Sequence, residues 1–275
     1  MKSFRTADGR TIAYNVIGQG RPLVCHPGGP GFAGAELSDL GGLSANRTLT
    51  VVDPRGTGGS DKAPDYSLDG YAADVEELRV HLGLDPMDLL GFSHGAIVAV
   101  HYAAKYPAHL GRLVLGGGLA AFTDEIKRFA DEFVESKSGE PWHDDAIAAL
   151  DEEENGEIDD MAALWQREAP LYFARWEERY RQTMTEISRG ASGDPLREFN
   201  EKGFDVRGEL GDVPAQTLIV CGREDFICGP PAVQVLQNGI NGSRVVMIEN
   251  SGHMMFLEQP DAFREAVAGF LASTS

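Results

Sequence analysis

The chain has 275 residues, of which 42% are hydrophobic, and a formal charge of −19 at pH 7. This size suits one large globular domain with an inserted lobe, and the strong negative charge argues against binding to nucleic acids or anionic membrane surfaces. The sequence shows neither a signal peptide nor an apolar stretch long enough to span a bilayer. Cys25, Cys221 and Cys228 form no paired framework, and Cys25 and Cys221 fall in predicted buried strands, so we expect those two to be core thiols in a cytoplasmic protein.

The first part of the chain alternates β-rich segments with helical patterns. Apolar, β-branched runs predict strands at 11–17, 21–25, 48–52, 87–90 and 113–115. A helix with Ser67 as its N-cap is expected before the fourth strand, and a long apolar helix after it. This alternation predicts a mostly parallel sheet with helices on both faces.

The alternation stops near Ala121 and resumes after Asp205, with strands at 217–221 and 244–248 and a final helix from Pro260. The text between is helical and heavily charged. We therefore expect residues 121–205 to form a helical cap, or lid. The cap is inserted in a core built from residues 1–120 and 206–275.

Within the predicted cap, Pro170 is expected to open a helix at its first turn. Tyr172, Trp176 and Tyr180 follow at a spacing of four residues, which predicts one apolar helix face. Trp165 marks another apolar face.

The segment Gly91-Phe92-Ser93-His94-Gly95 lies between a predicted strand and a predicted helix. Glycines around a central serine in this setting are typical of a nucleophile elbow, a turn too tight for larger neighbours. The serine hydroxyl is then held at the N-terminal end of a helix, where negative charge is stabilised. We expect Ser93 to be a nucleophile.

A serine nucleophile needs a base and a group that orients the base. His253 follows the last predicted strand, and Asp225 follows the strand before it, with Glu224 as a competing acid. All of these lie at the carboxyl edge of the predicted sheet, on the side of Ser93. Asp53 precedes the elbow and is interpreted as a structural anchor for the glycine-rich loop 56–60.

A tetrahedral intermediate also needs two N–H donors. The N–H of His94, the residue after the nucleophile, is one candidate. The loop after the strand at 21–25 supplies the other, from Gly28 or Gly29, of which we prefer Gly29. Proline has no N–H, which excludes Pro27 and Pro30.

The order Ser93, Asp225, His253 is that of the α/β-hydrolases, which the chain resembles over almost its whole length. Gly28-Gly29-Pro30-Gly31, Asp53-Pro54-Arg55-Gly56 and Gly252-His253 are similar to the proline iminopeptidase family. The resemblance implies an α/β-hydrolase fold and removal of an N-terminal residue, preferentially proline, from short peptides. It also implies cap glutamates that bind the substrate amine, and candidates here include Glu168, Glu177 and Glu178. The chain departs from the family motifs at Pro27, Phe92 and His94.

We therefore expect a serine hydrolase without cofactor or metal, acting on a small-molecule or short-peptide substrate. Phe92, Trp165, Tyr172 and Trp176 are candidate substrate-binding residues, although the aromatic residues of the cap could instead join cap to core. An esterase or lactonase, a carbon–carbon bond hydrolase and a non-catalytic ligand receptor are the alternatives. An aspartate elbow, as in haloalkane dehalogenases and epoxide hydrolases, is excluded by Ser93. The loop 56–60 lacks the lysine of a phosphate-binding loop.

Overall fold

The computed structural model describes residues 1–156, 159–213 and 216–273. The other positions of the predicted cap and core lie outside the described residues. The strands are Lys2–Arg5 (β1), Thr11–Gly18 (β2), Arg21–His26 (β3), Arg47–Val52 (β4), Met87–Phe92 (β5), Leu110–Gly116 (β6), Gln216–Gly222 (β7) and Arg244–Ile248 (β8). The α-helices are Leu68–Leu82 (α1), His94–Lys105 (α2), Asp124–Ser136 (α3), His143–Glu154 (α4), Met161–Glu168 (α5), Arg179–Ile187 (α6), Gly193–Lys202 (α7), Pro230–Gly239 (α8), Met255–Glu258 (α9) and Pro260–Ala272 (α10).

The strands form one sheet in the order β1-β2-β4-β3-β5-β6-β7-β8. Strands β3 to β8 are all parallel to one another, whereas β2 is antiparallel to both of its neighbours, β1 and β4. The predicted α/β class, with a mostly parallel sheet, is therefore confirmed. The edge strand β1 is an addition that the sequence analysis did not predict.

Helices cover both faces of the sheet. Successive strand residues point to opposite faces, so a central strand such as β5 packs against helices on both sides. Leu89 packs in one buried cluster with residues of α1, α2 and α8, and its neighbour Leu90 packs in another with residues of α10. The predicted N-cap is confirmed, since the Ser67 hydroxyl accepts a hydrogen bond from the Gly70 N–H at 3.2 Å. The final helix buries the four predicted residues, which are Phe263, Val267, Phe270 and Leu271.

Helices α3 to α7 follow one another between β6 and β7, in the segment predicted to be the cap. The bounds of the cap stay a prediction. The prediction of a helix that begins at Pro170 is wrong. Residues 169–172 form a single 3-10 turn, Phe173 is extended, and α6 begins only at Arg179. Tyr172, Trp176 and Tyr180 therefore do not share one helix face.

Within the described ranges, no helix combines the length and the apolar character needed to cross a bilayer. Cys25 lies in β3 and Cys221 in β7, and both are buried free thiols, as predicted. Cys228 is also buried and unpaired.

Candidate active site

Ser93 lies at the sharp turn between β5 and α2. Its backbone angles are φ 53° and ψ −120°, a strained region that typically costs about 1–3 kcal/mol for a residue other than glycine. A Cβ on Gly91 would collide with the Gly95 carbonyl, and a Cβ on Gly95 would collide with the carbonyls of His26 and Pro27. The small residues of the elbow therefore allow the helix to approach both β5 and the loop after β3.

His253 and Asp225 are joined in the interior at the carboxyl edge of the sheet. His253 Nδ1 lies 2.7 Å from Asp225 Oδ2, and the two side chains are 3% and 0% exposed. The other carboxylate oxygen of Asp225 accepts the N–H groups of Ile227 at 3.1 Å and Cys228 at 2.9 Å. These bonds fix the carboxylate, which in turn orients the imidazole.

Burial alone lowers the pKa of His253, but the Asp225 carboxylate outweighs it with a smaller contribution from Glu36, so that the pKa is raised. The imidazole is thus stabilised in its protonated form by a buried negative charge. This is the environment that a general base needs once it has taken a proton from a nucleophile.

Residues 116 and 117, at the end of β6, contact both Ser93 and His253. The Ser93 N–H donates to the Gly116 carbonyl at 2.8 Å, and a Cβ on Gly117 would lie 3.2 Å from the His253 ring. Among the described residues, however, no hydrogen bond reaches the Ser93 hydroxyl, which faces a cavity. Catalytic hydrogen bonds are often long in a free enzyme and tighten when substrate binds.

Glu224 and Asp53, which the sequence analysis also named, and the buried His26 take no part in the Asp225–His253 pair. Glu224 is partly exposed. Asp53 anchors the glycine-rich loop as expected, because its carboxylate accepts the N–H groups of Gly59 and Gly34, each at 2.9 Å. His26 bonds to the Pro27 carbonyl, and burial lowers its pKa to about 4.

The two glycines proposed as oxyanion donors differ in their hydrogen bonding. The Gly28 N–H donates to the carboxylate of buried Glu36 at 2.5 Å. The Gly29 N–H has no partner among the residues that the structure describes, and Gly29 lines the cavity beside Ser93. His94 is the first residue of α2, so its N–H has no acceptor within the helix. These two N–H groups stay our proposed oxyanion donors.

The cavity above Ser93 has a volume of about 110 Å³. Its apolar lining consists mainly of Ile97, Leu119, Phe122, Leu196, Phe199, Trp165 and Tyr172. The volume is somewhat smaller than that of an engineered cavity of about 150 Å³ that binds benzene, so it suits one small ring or acyl group.

Two of the four candidate substrate-binding residues lie elsewhere. Phe92 is buried below the site, with its ring 4.8 Å from that of His253 and 5.1 Å from that of Phe256. Trp176 packs on Phe173 and borders a separate surface cleft. Phe92 faces the core because it ends a strand whose residues are buried on both sides of the sheet. Trp176 is displaced because the helix expected to carry it does not form.

Two glutamates interact beside this cavity, one half-buried in α4 and one buried in α5. Glu153 lines the cavity, and Glu168 is 0% exposed with neither carboxylate oxygen bonded to a donor among the described residues. Burial raises the pKa of both groups, and that of Glu168 is raised further by Glu153. A protonated Glu168 is therefore favoured when no cation is near.

A sequence signal for Glu168 exists, although the sequence analysis did not use it to choose among the cap acids. Met161, Leu164, Trp165 and Glu168 follow helical spacing, and all four are buried on one face of α5. A carboxylate on an otherwise apolar stripe is costly to bury, which marks it as unusual. Glu177 and Glu178 instead pair with Arg179 and Arg181 near the surface.

The loop that carries His253 is bound to the cap. The Met254 N–H donates to the Tyr172 carbonyl at 3.2 Å. Glu258 accepts the N–H groups of Gly252 at 2.6 Å and of Ala174 and Arg175 at 3.3 Å each. Movement of this part of the cap would therefore move the histidine.

Asp225, Cys228 and His253 bring three potential metal ligand atoms within 4.8 Å of one another. The acid and the imidazole are already bonded to each other, and burial followed by the Asp225 charge holds the pKa of the Cys228 thiol well above its usual range. A metal prefers a thiolate, so this group fits a hydrogen-bonded pair better than a metal centre.

Comparisons with known proteins agree with this architecture. A family model described as alpha/beta hydrolase fold matches residues 21–260. A proline iminopeptidase of Saccharolobus solfataricus is 30% identical over 94% of this chain and 87% of its own. A proline iminopeptidase of Pestalotiopsis fici is 26% identical over 95% of this chain and 96% of its own. An esterase of Exiguobacterium antarcticum superposes with a TM-score of 0.78 at 25% identity, covering 98% of this chain and 99% of that chain.

The family match, the sheet and the relatives confirm the resemblance drawn from the motifs. The chain therefore belongs to the α/β-hydrolase fold family and is a hydrolase that resembles the proline iminopeptidases.

Proposed function

We propose that the protein is a serine hydrolase that releases the N-terminal residue of short peptides or arylamides through an acyl-enzyme. Ser93 attacks the carbonyl carbon, and His253 takes its proton while Asp225 holds the imidazolium. The N–H groups of Gly29 and His94 stabilise the oxyanion. His253 then protonates the leaving amine, and water hydrolyses the ester on Ser93 with the same base.

The observation that carries the peptidase assignment is the Glu153–Glu168 pair at the cavity. Two interacting carboxyl groups, with no ion pair to Lys or Arg among the described residues, favour a ligand that brings a positive charge, because an ion pair can replace the proton on Glu168. The free amine at the N-terminus of a peptide is such a group. The small cavity suits a single N-terminal residue, and the two relatives described above are named proline iminopeptidases.

Three substrates separate this activity from simple ester hydrolysis. Proline p-nitroanilide carries the amine, its N-acetyl derivative lacks the charge, and a p-nitrophenyl ester needs neither. We expect kcat/KM to fall by about 10- to 100-fold or more on acetylation, since a charge-assisted hydrogen bond contributes about 1.5–3 kcal/mol. Equal rates for the free and acetylated anilides would overturn the peptidase assignment.

The same substrates test the two glutamates. Glu168→Gln and Glu153→Gln should lower kcat/KM for proline p-nitroanilide by about 10-fold or more and leave the ester rate within about 3-fold of wild type. Glu178→Gln is the matched control, because it lies in the same cap on an exposed ion pair. A uniform effect on both substrates would mean that the pair supports the fold rather than the amine.

An esterase is the second candidate. The apolar lining of the cavity and the similarity to an esterase structure favour it. It predicts turnover of the p-nitrophenyl ester, equal rates for the free and acetylated anilides, and no response of either anilide to Glu168→Gln. In both cases Ser93→Ala removes activity, and tight ligand binding without any turnover would instead favour a receptor.

A further inference from the structure

A third buried carboxyl group lies next to the reacting side chains, on the core side of the cavity. Glu36 belongs to the 3-10 turn Gly34–Leu37, directly after the loop that holds Gly28 and Gly29. It is 3% exposed and makes no ion pair with any Lys or Arg among the described residues. Its hydrogen-bond partner is the Gly28 N–H at 2.5 Å.

Glu36 lies close to the nucleophile. A Cβ built on Gly28 would lie 2.9 Å from Cβ of Ser93, and 3.0 and 3.2 Å from the two carboxylate oxygens of Glu36. The carboxylate and the serine therefore flank the same glycine. Its charge also acts on the His253 imidazole, and that of the imidazole on Glu36.

The bond to Glu36 decides which way the Gly28 peptide faces. A buried N–H without an acceptor costs about 1–3 kcal/mol, so the loop without this carboxylate would either carry that cost or turn the peptide toward another acceptor. In the structure Gly29, and not Gly28, lines the cavity with a free N–H. The orientation of one peptide therefore depends on the carboxyl group of Glu36.

We propose that Glu36 is a positioning residue that holds the Gly28 N–H away from the cavity, so that of the two glycines only Gly29 presents its N–H to the oxyanion, together with that of His94, and that the charge of Glu36 supports the imidazolium of His253. The role rests on the proposed serine hydrolase mechanism. No relative or sequence motif named above assigns it.

The test compares Glu36→Ala and Glu36→Gln with wild type on a p-nitrophenyl ester, whose hydrolysis does not depend on an amine. Alanine removes the acceptor, and we expect kcat to fall by about 10- to 100-fold with KM within about 3-fold, since a misplaced oxyanion donor acts mainly in the transition state. Glutamine keeps an acceptor oxygen for Gly28 and should restore most of the lost kcat.

The charge is tested by the pH dependence of kcat/KM. The groups that face His253 are Asp225, Glu36, the Tyr172 ring and the Cys228 thiol, and the first two supply the negative charge. Because an ionised Glu36 raises the pKa of His253, Glu36→Gln should move the acidic limb of the profile to lower pH. Burial also raises the pKa of Glu36 itself to about 7, so an ionisation near neutral pH should vanish in the glutamine variant.

Glu77→Ala is the matched control, because Glu77 also accepts one backbone N–H, from Ala7 at 2.7 Å, but at the surface far from the site. If Ser93→Ala is inactive while Glu36→Ala keeps wild-type kcat, the role of Glu36 is wrong and the serine mechanism stands. If Ser93→Ala is as active as wild type, the serine mechanism itself is wrong and the role falls with it. If Glu36→Ala does not fold, the profile of Glu36→Gln decides, and an unshifted acidic limb overturns the proposal.

Discussion

Replacing Glu258 with alanine removes the carboxylate that joins the histidine loop to the cap. The side chain accepts the Gly252 N–H at 2.6 Å, the Ala174 and Arg175 N–H groups at 3.3 Å each, and the Ser251 hydroxyl at 3.5 Å. The short bond to a charged acceptor contributes about 1.5–3 kcal/mol, and the longer ones add less, so we expect the free energy of unfolding to fall by about 2–4 kcal/mol.

The loss has two measurable consequences. For a chain of this size, about 2–4 °C of melting temperature corresponds to each kcal/mol, which predicts a decrease of about 4–16 °C in thermal unfolding. The freed Gly252 peptide precedes His253, and a displacement of about 1 Å at a reacting group can lower the rate by about 100-fold. We therefore expect kcat on the p-nitrophenyl ester to fall by a larger factor than the fraction of folded protein does at the assay temperature.

Glu249→Ala is the control for this experiment. Glu249 is a neighbouring glutamate whose ion pair with Arg223 is exposed, so its removal should leave the melting temperature and kcat unchanged. Equal melting temperatures and equal kcat values for wild type and Glu258→Ala would refute the inferred link between cap and histidine loop.

Three further predictions concern the site itself. Asp225→Asn should lower kcat on the order of 10³- to 10⁴-fold, because the amide no longer holds the required tautomer of His253, and steady-state kinetics with the p-nitrophenyl ester will show it. In wild type, kcat/KM should fall as the pH drops through the His253 pKa, which lies above its ordinary value of 6.5. In Asp225→Asn this fall should occur at lower pH, because the carboxylate that raises the pKa of His253 is gone. Gly91→Ala should lower the free energy of unfolding, measured by chemical denaturation, by at least about 1–3 kcal/mol, because its methyl group would collide with the Gly95 carbonyl. Gly139→Ala is the control and should leave that free energy unchanged, because a Cβ there meets nothing within 4 Å.

The elements around the catalytic edge were predictable because their signals are local. The strands that end at Phe92 and Gly222 are continuous apolar runs, and the N-cap at Ser67 and the glycines of the elbow act within a few residues. The choice of Asp225 over Glu224 agrees with their burial in the structure, although two adjacent carboxylates do not separate by pattern alone.

The failures come from contacts between segments distant in the sequence. The spacing of Tyr172 and Trp176 suits a helix, but the backbone from 172 to 175 bonds to Met254 and Glu258 instead, and Phe173 is extended. Hydrogen bonds to the histidine loop therefore replace the bonds that a helix would make within itself.

Burial of carboxylates is equally invisible to local patterns. Glu36 is a single acid in a short apolar segment, and Glu153 belongs to an acidic run that suggests a solvated surface. Glu36 is buried against the Gly28 peptide, and Glu153 is half-buried at the cavity, through contacts with segments distant in the sequence. Only the folded chain distinguishes them from the exposed acids around them.

In the proposed mechanism, Ser93 forms a covalent acyl-enzyme with the help of His253 and Asp225. The most direct test is mass spectrometry of the protein quenched during turnover of p-nitrophenyl acetate, followed by peptide mapping. We expect an acetyl group on the peptide that contains Ser93, and no such adduct in Ser93→Ala. Undiminished ester turnover by Ser93→Ala, or an acetyl group confined to another residue in wild type, would contradict this mechanism.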